Sequence, residues 1–255
     1  MSKTTKRVSE AARVAEQTRP DGSPVMYQRW RDLLFLHWSM DPERIALDLP
    51  PGLQVDTYDG RAWLGVVPFR MEGVRPRFLP PLKGLSSFPE LNLRTYVHDA
   101  AGRPGVWFYS LDTPKRLPNW IARTFFHLNY RLARMAVHAN AGRIHYQSEL
   151  WKDGVWDTPQ KYTWSGQGET FLAEPGSLDF FLAERYRLFA YNPKKRKLSM
   201  GRVHHGPYPL QRVELEVFST RLFALSGLDE PAVAPESVLA SPGVNVEIFS
   251  MESAS

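Results

Sequence analysis

At 255 residues, with 43% hydrophobic and 13% aromatic side chains, the chain carries enough apolar material for one large domain or two small ones. Its formal net charge of +5 is modest and comes without a nucleic-acid motif, so no nucleic-acid partner is expected. The absence of cysteine excludes disulfides, thiolate metal sites and a cysteine nucleophile, and no apolar run approaches the roughly 20 residues of a membrane helix.

The first stretch, Met1 to Pro20, is polar and lacks the apolar core of a signal peptide, which points to the cytoplasm. Residues 1–24 read as a flexible arm with a transient helix around Glu10 to Gln17. Order is expected from Met26, first in a buried strand, Arg31 to Trp38. Asp41-Pro42-Glu43 then supplies a cap, a proline at the first helical position and a first-turn acid, opening a short helix that Pro50-Pro51-Gly52 stops. Asp59-Gly60 between two apolar runs predicts a tight hairpin joining Leu53–Tyr58 to Arg61–Phe69. Arg70 to Lys83 reads as a long proline- and arginine-rich loop, whose Arg70, Arg75 and Arg77 could draw an anion.

From Glu90 onward the chain alternates. Glu90, Asn92, Arg94 and Tyr96 fall on one strand face, with Leu91, Leu93, Thr95 and Val97 on the other. A hairpin through Asp99 to Gly105 returns the chain into Val106 to Asp112. Helical spacing of Trp120, Ile121, Phe125 and Leu128 predicts a helix from Pro118, continuing or restarting through Ala133 to Met135. Three turn signals follow, at Asn140-Ala141-Gly142, Asp153-Gly154 and Ser165-Gly166-Gln167-Gly168, with strands Arg143–Trp151 and Gln160–Trp164 between them. Ser177 caps a helix through Ala183. Strands Arg185–Tyr191, Leu198–His205 and Gln211–Phe218 come next, Lys194 to Lys197 forming a solvated tip. The tail from Ser226 holds one last strand, Val244–Phe249. The sum is an α+β fold, mainly antiparallel β, expected to close into a barrel or cone with a few inserted helices. It forms a single domain over 25–250, with 251–255 as a tail.

Several blocks carry a family resemblance: Leu-Phe-Leu-His-Trp (34–38), the stretch 49–71 from Leu-Pro-Pro-Gly to Pro-Phe-Arg-Met, Ser-Phe-Pro-Glu-Leu-Asn-Leu-Arg-Thr-Tyr-Val (87–97) and Gly-Val-Trp-Phe-Tyr-Ser-Leu-Asp (105–112). With Phe-Leu-Ala-Glu-Arg-Tyr (181–186) and His-His-Gly-Pro-Tyr-Pro (204–209), they resemble the YqjF-like family of uncharacterised bacterial proteins over about residues 26 to 250. That family is held to belong to the acetoacetate-decarboxylase-like superfamily, so the resemblance implies an antiparallel β-cone enclosing a small-molecule pocket. It implies no particular reaction.

The superfamily's best-known enzyme forms a Schiff base through a lysine. The matching stretch here, His127 to Ala133, has Asn129 and Tyr130 where a lysine pair would stand, and neither can form an imine. Lys115-Arg116 and Lys194-Lys195 are poorer candidates, set in a loop and a turn. Phe88-Pro89-Glu90 resembles the strand that carries the enzyme's pocket glutamate, a role carried here to Glu90 alone.

The expected site therefore has Glu90 and Tyr130 as catalytic groups and Asn92, Arg94, Tyr96 and Asp112 as ligand-binding groups, with no metal and no cofactor. Glu90 and Arg94, about 13 Å apart along an extended strand, cannot pair directly. Arg123 reads as a solvated helix residue, His37 as a core histidine, and Glu184-Arg185-Tyr186 as a junction between helix and strand. His204 and His205, adjacent on a strand, must point to opposite faces.

The expected partner is a small organic acid or ketone, bound or transformed by acid/base chemistry. A homo-oligomer stays open. Two other readings remain beside it: a non-catalytic carrier or sensor using the same pocket, and an interaction protein whose polar strand face is simply wet.

Overall fold

The computed structural model describes residues 8–114 and 128–254. Among them are four short helices: α1 (Glu10–Ala15), α2 (Pro42–Ala46), α3 (Leu178–Ala183) and α4 (Arg221–Leu225). The strands are β1 (Met26–Met40), β2 (Leu53–Val55), β3 (Ala62–Pro76), β4 (Phe88–Asp99), β5 (Pro104–Thr113), β6 (Tyr130–Asn140) and β7 (Arg143–Lys152). They continue with β8 (Val155–Trp156), β9 (Gln160–Phe171), β10 (Arg187–Asn192), β11 (Lys197–His204), β12 (Leu210–Val217), β13 (Ser237–Ile248) and β14 (Glu252–Ser253). No described helix is long and apolar enough to cross a membrane.

The strands pair into one sheet that closes twice. The first ring runs β1-β3-β4-β5-β10-β11-β13 and back to β1. The second leaves β5 through β6, β7, β9 and β12 and returns through β13, β1, β3 and β4. Pairing is antiparallel except where β5 meets β10 and β6, both of which run parallel to it. The sheet is thus mixed.

Strands β1, β3 and β4 belong to both rings and are buried on both faces where the rings meet, so β1 and β3 read as near-continuous apolar runs, while β4 carries a buried polar face. Leu33 and Phe35 of β1 and Trp63, Val67 and Phe69 of β3 pack into the first ring's core. Leu34, Leu36 and Trp38, with Leu64 and Val66, pack into the second, against Tyr146, Tyr162 and Trp164. The same alternation on β4 sends Phe88 and Tyr96 to the first core and Leu91 and Leu93 to the second. A bulge on β5 absorbs Tyr109, since Leu93 pairs with Ser110 and Arg94 with Phe108. The polar face of β4 therefore keeps its phase and looks into the first ring.

The local signals at α2 and α3 act as expected: Asp41 accepts from the Glu43 amide, and Ser177 from the Phe180 amide at 3.1 Å. Other expectations change. Asp59 and Gly60 both adopt positive φ, as a primed turn requires, but only Tyr58 and Arg61 bridge across it. Both edges of the following strand are taken by β1 and β4, so Leu53–Val55 pairs instead with the far end of β4. The loop expected from Arg70 is strand as far as Pro76, because Arg70 and Arg75 pair with Arg31 and Tyr27 of β1. Residues 165–168 lie inside β9, held by β12.

The helix expected from Pro118 falls largely on residues 115–127, outside the described residues, as do Lys115, Arg116 and Arg123. Its continuation is corrected: Ala133 to Met135 lie in β6, paired to β7, and Tyr130 opens that strand. The arm expectation also changes for residues 8–24. Helix α1 is packed down, with the Arg13 side chain buried and bonded to Asp56.

Candidate functional site

The first ring encloses a cavity of about 60 Å³, counted as space open to the centre of a water molecule. At roughly 10–15 Å³ per water on that measure, it has room for a handful of waters or a ligand of a few heavy atoms. Its wall is mostly apolar, with Trp30, Phe88, Val106, Leu188 and Val203 among the lining residues. The polar groups in the wall are few: Gln28, Glu90, Arg94, Tyr130, Arg185, Arg187 and Tyr208.

Glu90 is 2% exposed. Burial pushes its carboxyl up from 4.5 to about 8, with the nearby Asp112 charge adding to the rise. Hydrogen bonds from Asn92 and from the Tyr130 hydroxyl (3.4 Å to Oε2) oppose the shift without cancelling it. No cation pairs with Glu90 among the described residues, so at neutral pH it is held as a neutral acid. Burial and the neighbouring Glu90 in turn raise the Tyr130 phenol.

Arg94 presents the opposite case. It is 8% exposed, yet no carboxylate lies within ion-pair reach of it among the described residues. Its Nη2 donates to the Leu182 carbonyl at 3.1 Å and to the Tyr96 hydroxyl at 3.4 Å, while Nε has no partner among the described residues. The field of this uncompensated guanidinium reaches its neighbours. After burial, it is the next cause that depresses His37, and it contributes to the depression of His205 to about 4.

Tyr96 is a support, not a wall residue. Its hydroxyl donates to the Leu182 carbonyl at 2.8 Å and accepts from His37 Nε2 at 2.7 Å. That bonding fits a neutral His37 with its proton on Nε2. Gly65 makes the contact feasible: a Cβ there would stand 2.9 Å from the His37 ring and 3.4 Å from the Tyr96 hydroxyl.

Arg185 follows α3 and is 6% exposed. Its Nε donates to the Phe181 carbonyl at 2.8 Å and its Nη1 to Asp56 at 2.8 Å, and its Cζ lies over the Phe181 and Tyr96 rings. The Nη2 group has no partner among the described residues. Two buried guanidiniums of the cavity wall thus keep unused N–H groups.

The structure brings Glu90, Arg94 and Tyr130 together around one cavity. Asn92 hydrogen-bonds Glu90 from beside it, and its own Oδ1 has no partner among the described residues. Asp112 stands apart from the cavity wall, its carboxylate held by Arg131 at 2.6 and 3.0 Å. The face proposed as simply wet is dry: Glu90, Asn92, Arg94 and Tyr96 are all buried. Every described lysine is exposed, and none lines the cavity. Among the described residues no three His, Asp or Glu side chains gather as a metal site.

Sequence reasoning missed Arg185 as a wall residue, treating it as a junction. Its placement depends on Asp56, 129 positions away, and no local pattern announces such a pairing.

Residues 27–245 match DUF2071, a family of uncharacterized conserved proteins. The chain is 40% identical over 216 residues to the uncharacterized protein YqjF of Bacillus subtilis, covering 85% of this chain and 87% of that protein. Among solved structures, it is similar to an acetoacetate decarboxylase from Legionella pneumophila, with a TM-score of 0.61 and 12% identity over 100% of this chain and 98% of that one. It is also similar to the enduracididine biosynthesis enzyme MppR, complexed with the condensation product of pyruvate and imidazole 4-carboxaldehyde. There the TM-score is 0.59, at 14% identity over 91% of this chain and 90% of that one. At such identities these two structures establish the shared acetoacetate-decarboxylase-like fold.

Proposed function

This chain belongs to the DUF2071 family, and from that premise we propose that its cavity binds a small carboxylate or carbonyl compound and acts on it by proton transfer, with no Schiff-base lysine. The observation that carries this reading is that one cavity wall holds both a neutral buried acid, Glu90, and a buried guanidinium, Arg94, that no carboxylate among the described residues compensates. An isolated buried cation costs several kcal/mol unless something balances it. A bound carboxylate would provide that balance, using the free N–H groups of Arg94 and Arg185.

Glu90 then stands as the general acid. With its carboxyl near 8 it carries a proton at neutral pH and can give it to a carbonyl or carbanionic centre, receiving it back in the reverse sense. Tyr130 holds the same carboxyl from the other side and fixes its orientation. The apolar wall excludes water, which strengthens each of these contacts. We further infer a cytoplasmic protein that takes a soluble metabolite.

The test is titration calorimetry with pyruvate, acetoacetate and butanoate on the native chain, Arg94→Ala and Glu90→Gln. Arg94→Ala should bind at least about tenfold more weakly, whereas Glu90→Gln should keep binding and lose any conversion. Borohydride added with pyruvate or acetoacetate should leave the chain's mass unchanged. Equal binding by the native chain and Arg94→Ala, or a trapped lysine adduct, would overturn the proposal. Binding without turnover in the native chain would recast it as a carrier or sensor.

A further inference from the structure

We propose that the N-terminal strap, residues 8–24, is a working part of the cavity, with Arg13 as a positioning residue that keeps Arg185 available to an anion. This rests on the anion-binding reading of the cavity given above.

Asp56 is 3% exposed and lies between two buried guanidiniums. Its Oδ1 accepts from Arg13 Nη2 at 2.7 Å, and its Oδ2 accepts from both Arg13 Nη1 and Arg185 Nη1. Arg13 therefore takes the two-bond fork, and Arg185 receives one bond only. The consequence falls on Arg185 Nη2, which is buried, has no partner among the described residues and belongs to a cavity-lining residue. One carboxylate shared by two cations leaves a net positive charge beside the cavity. Glu10 stands 3.9 Å from Arg13 Nε, and Glu184, next to Arg185 in the chain, is engaged by Tyr186 and the Tyr208 amide.

Without Arg13, Asp56 can turn both oxygens to Arg185, as the guanidinium fork favours. Nη2 is then satisfied from behind, and its charge is matched. The cavity loses a donor and most of the positive field that Arg185 contributes. Arg13 acts on the ligand only through Asp56 and Arg185.

The rest of the strap is fastened to the wall at Arg187 and to segments beside it. Glu16 pairs with Arg187, another lining residue, at 2.7 Å. Arg202 donates to the Glu16 and Thr18 carbonyls, each at 3.1 Å, and Glu10 accepts from the Gly176 amide at 2.8 Å. All of these strap residues precede the stretch 27–245 that matches the family. The strap thus sets the charge state of a cavity whose wall is otherwise built from the family's own strands.

The experiment is titration calorimetry with pyruvate as the probe on the full chain, comparing native protein with Arg13→Gln, Arg13→Lys and the double variant Arg13→Gln/Asp56→Asn. Arg13→Gln should weaken pyruvate binding about tenfold, and Arg13→Lys, which still holds Asp56, should lose much less. The double variant should return to within about threefold of native, because an uncharged amide in place of the Asp56 carboxylate cannot neutralise Arg185. A purely structural fastening by Arg13 would not be rescued by removing its partner's charge.

Native-like binding by Arg13→Gln, or a double variant as weak as Arg13→Gln, would overturn the proposal. If Arg13→Gln fails to fold, Asp56→Asn alone decides: it should bind pyruvate at least as tightly as native, and weaker binding sinks the idea. Native protein that binds none of pyruvate, acetoacetate and butanoate would instead remove the cavity reading, and this inference with it.

Discussion

Glu90 and Asp112 are two carboxyls buried to nearly the same degree on adjacent strands, and the fold treats them oppositely. The neighbour of Glu90, Leu91, pairs across the ladder with Asp112, while Leu111 faces the first ring's cavity. Asp112 meets the Arg131 fork, which also donates to the Leu225 carbonyl at 2.7 Å. Glu90 meets an amide, a phenol and empty space. Burial raises both carboxyls, but only Asp112 has a cation pulling back. Shielding from water is therefore common to both acids. What separates them is how the buried charge is avoided: Asp112 is matched by the Arg131 guanidinium, whereas Glu90 keeps its proton.

That contrast has a pH signature. Folded Glu90 keeps its proton to about pH 8, whereas in the unfolded chain it lets go near 4.5. The folded state then binds more protons within this window, so its stability falls as pH rises from about 4.5 to 8. At about 1.4 kcal/mol per pH unit, the whole loss is on the order of 5 kcal/mol. Buried His37 and His205 act in the other sense at low pH, because burial depresses them and the unfolded chain takes up their protons first. The comparison should therefore be made as a difference: urea unfolding of native protein and Glu90→Gln at several pH values. The native chain should lose stability relative to the variant toward pH 8. Parallel curves would mean that Glu90 is ionised in the folded state at neutral pH.

The Asp112 side breaks differently. Arg131→Leu should leave Asp112 buried without its cation and cost about 3–5 kcal/mol in chemical denaturation at neutral pH. Adding Asp112→Asn to that variant should recover much of the loss. A small effect of Arg131→Leu would show that Asp112 has another partner, and the difference between the two acids would shrink.

How much of this was legible beforehand follows from the range of each signal. Caps at Asp41 and Ser177 act within three residues, and both were readable. The alternation from Glu90 to Tyr96 was readable too, because a strand's period depends on nothing distant. Its orientation was not: whether that face meets water or a cavity depends on β5, β10 and β11 closing the ring. Helical spacing up to Leu128 carries the predicted helix on through Tyr130, whereas pairing to β5 and β7 makes these residues a strand. Asp112 could have faced either way until register placed it opposite Leu91. Arg13, Asp56 and Arg185 carry no local pattern at all, since their meaning lies in contacts 43 and 129 positions apart.

The finest distinction concerns the two groups that hold Glu90. Asn92 and Tyr130 both favour its ionised form, and the Asn92 hydrogen bond does more than the Tyr130 one. A 3.4 Å contact from a phenol is long for an O–H donor, which is consistent with the smaller share. Asn92→Leu should therefore raise the Glu90 carboxyl further than Tyr130→Phe, each by less than about one pH unit, or under about 1.4 kcal/mol. Carbon-detected NMR titration of the glutamate carboxyls would measure both. A larger rise for Tyr130→Phe would mean that the phenol closes to a shorter bond in solution, moving Tyr130 from an orienting group toward a share in the proton transfer. A fall on either substitution would show that these contacts stabilise the neutral acid, so that Glu90 has a reason other than burial to keep its proton.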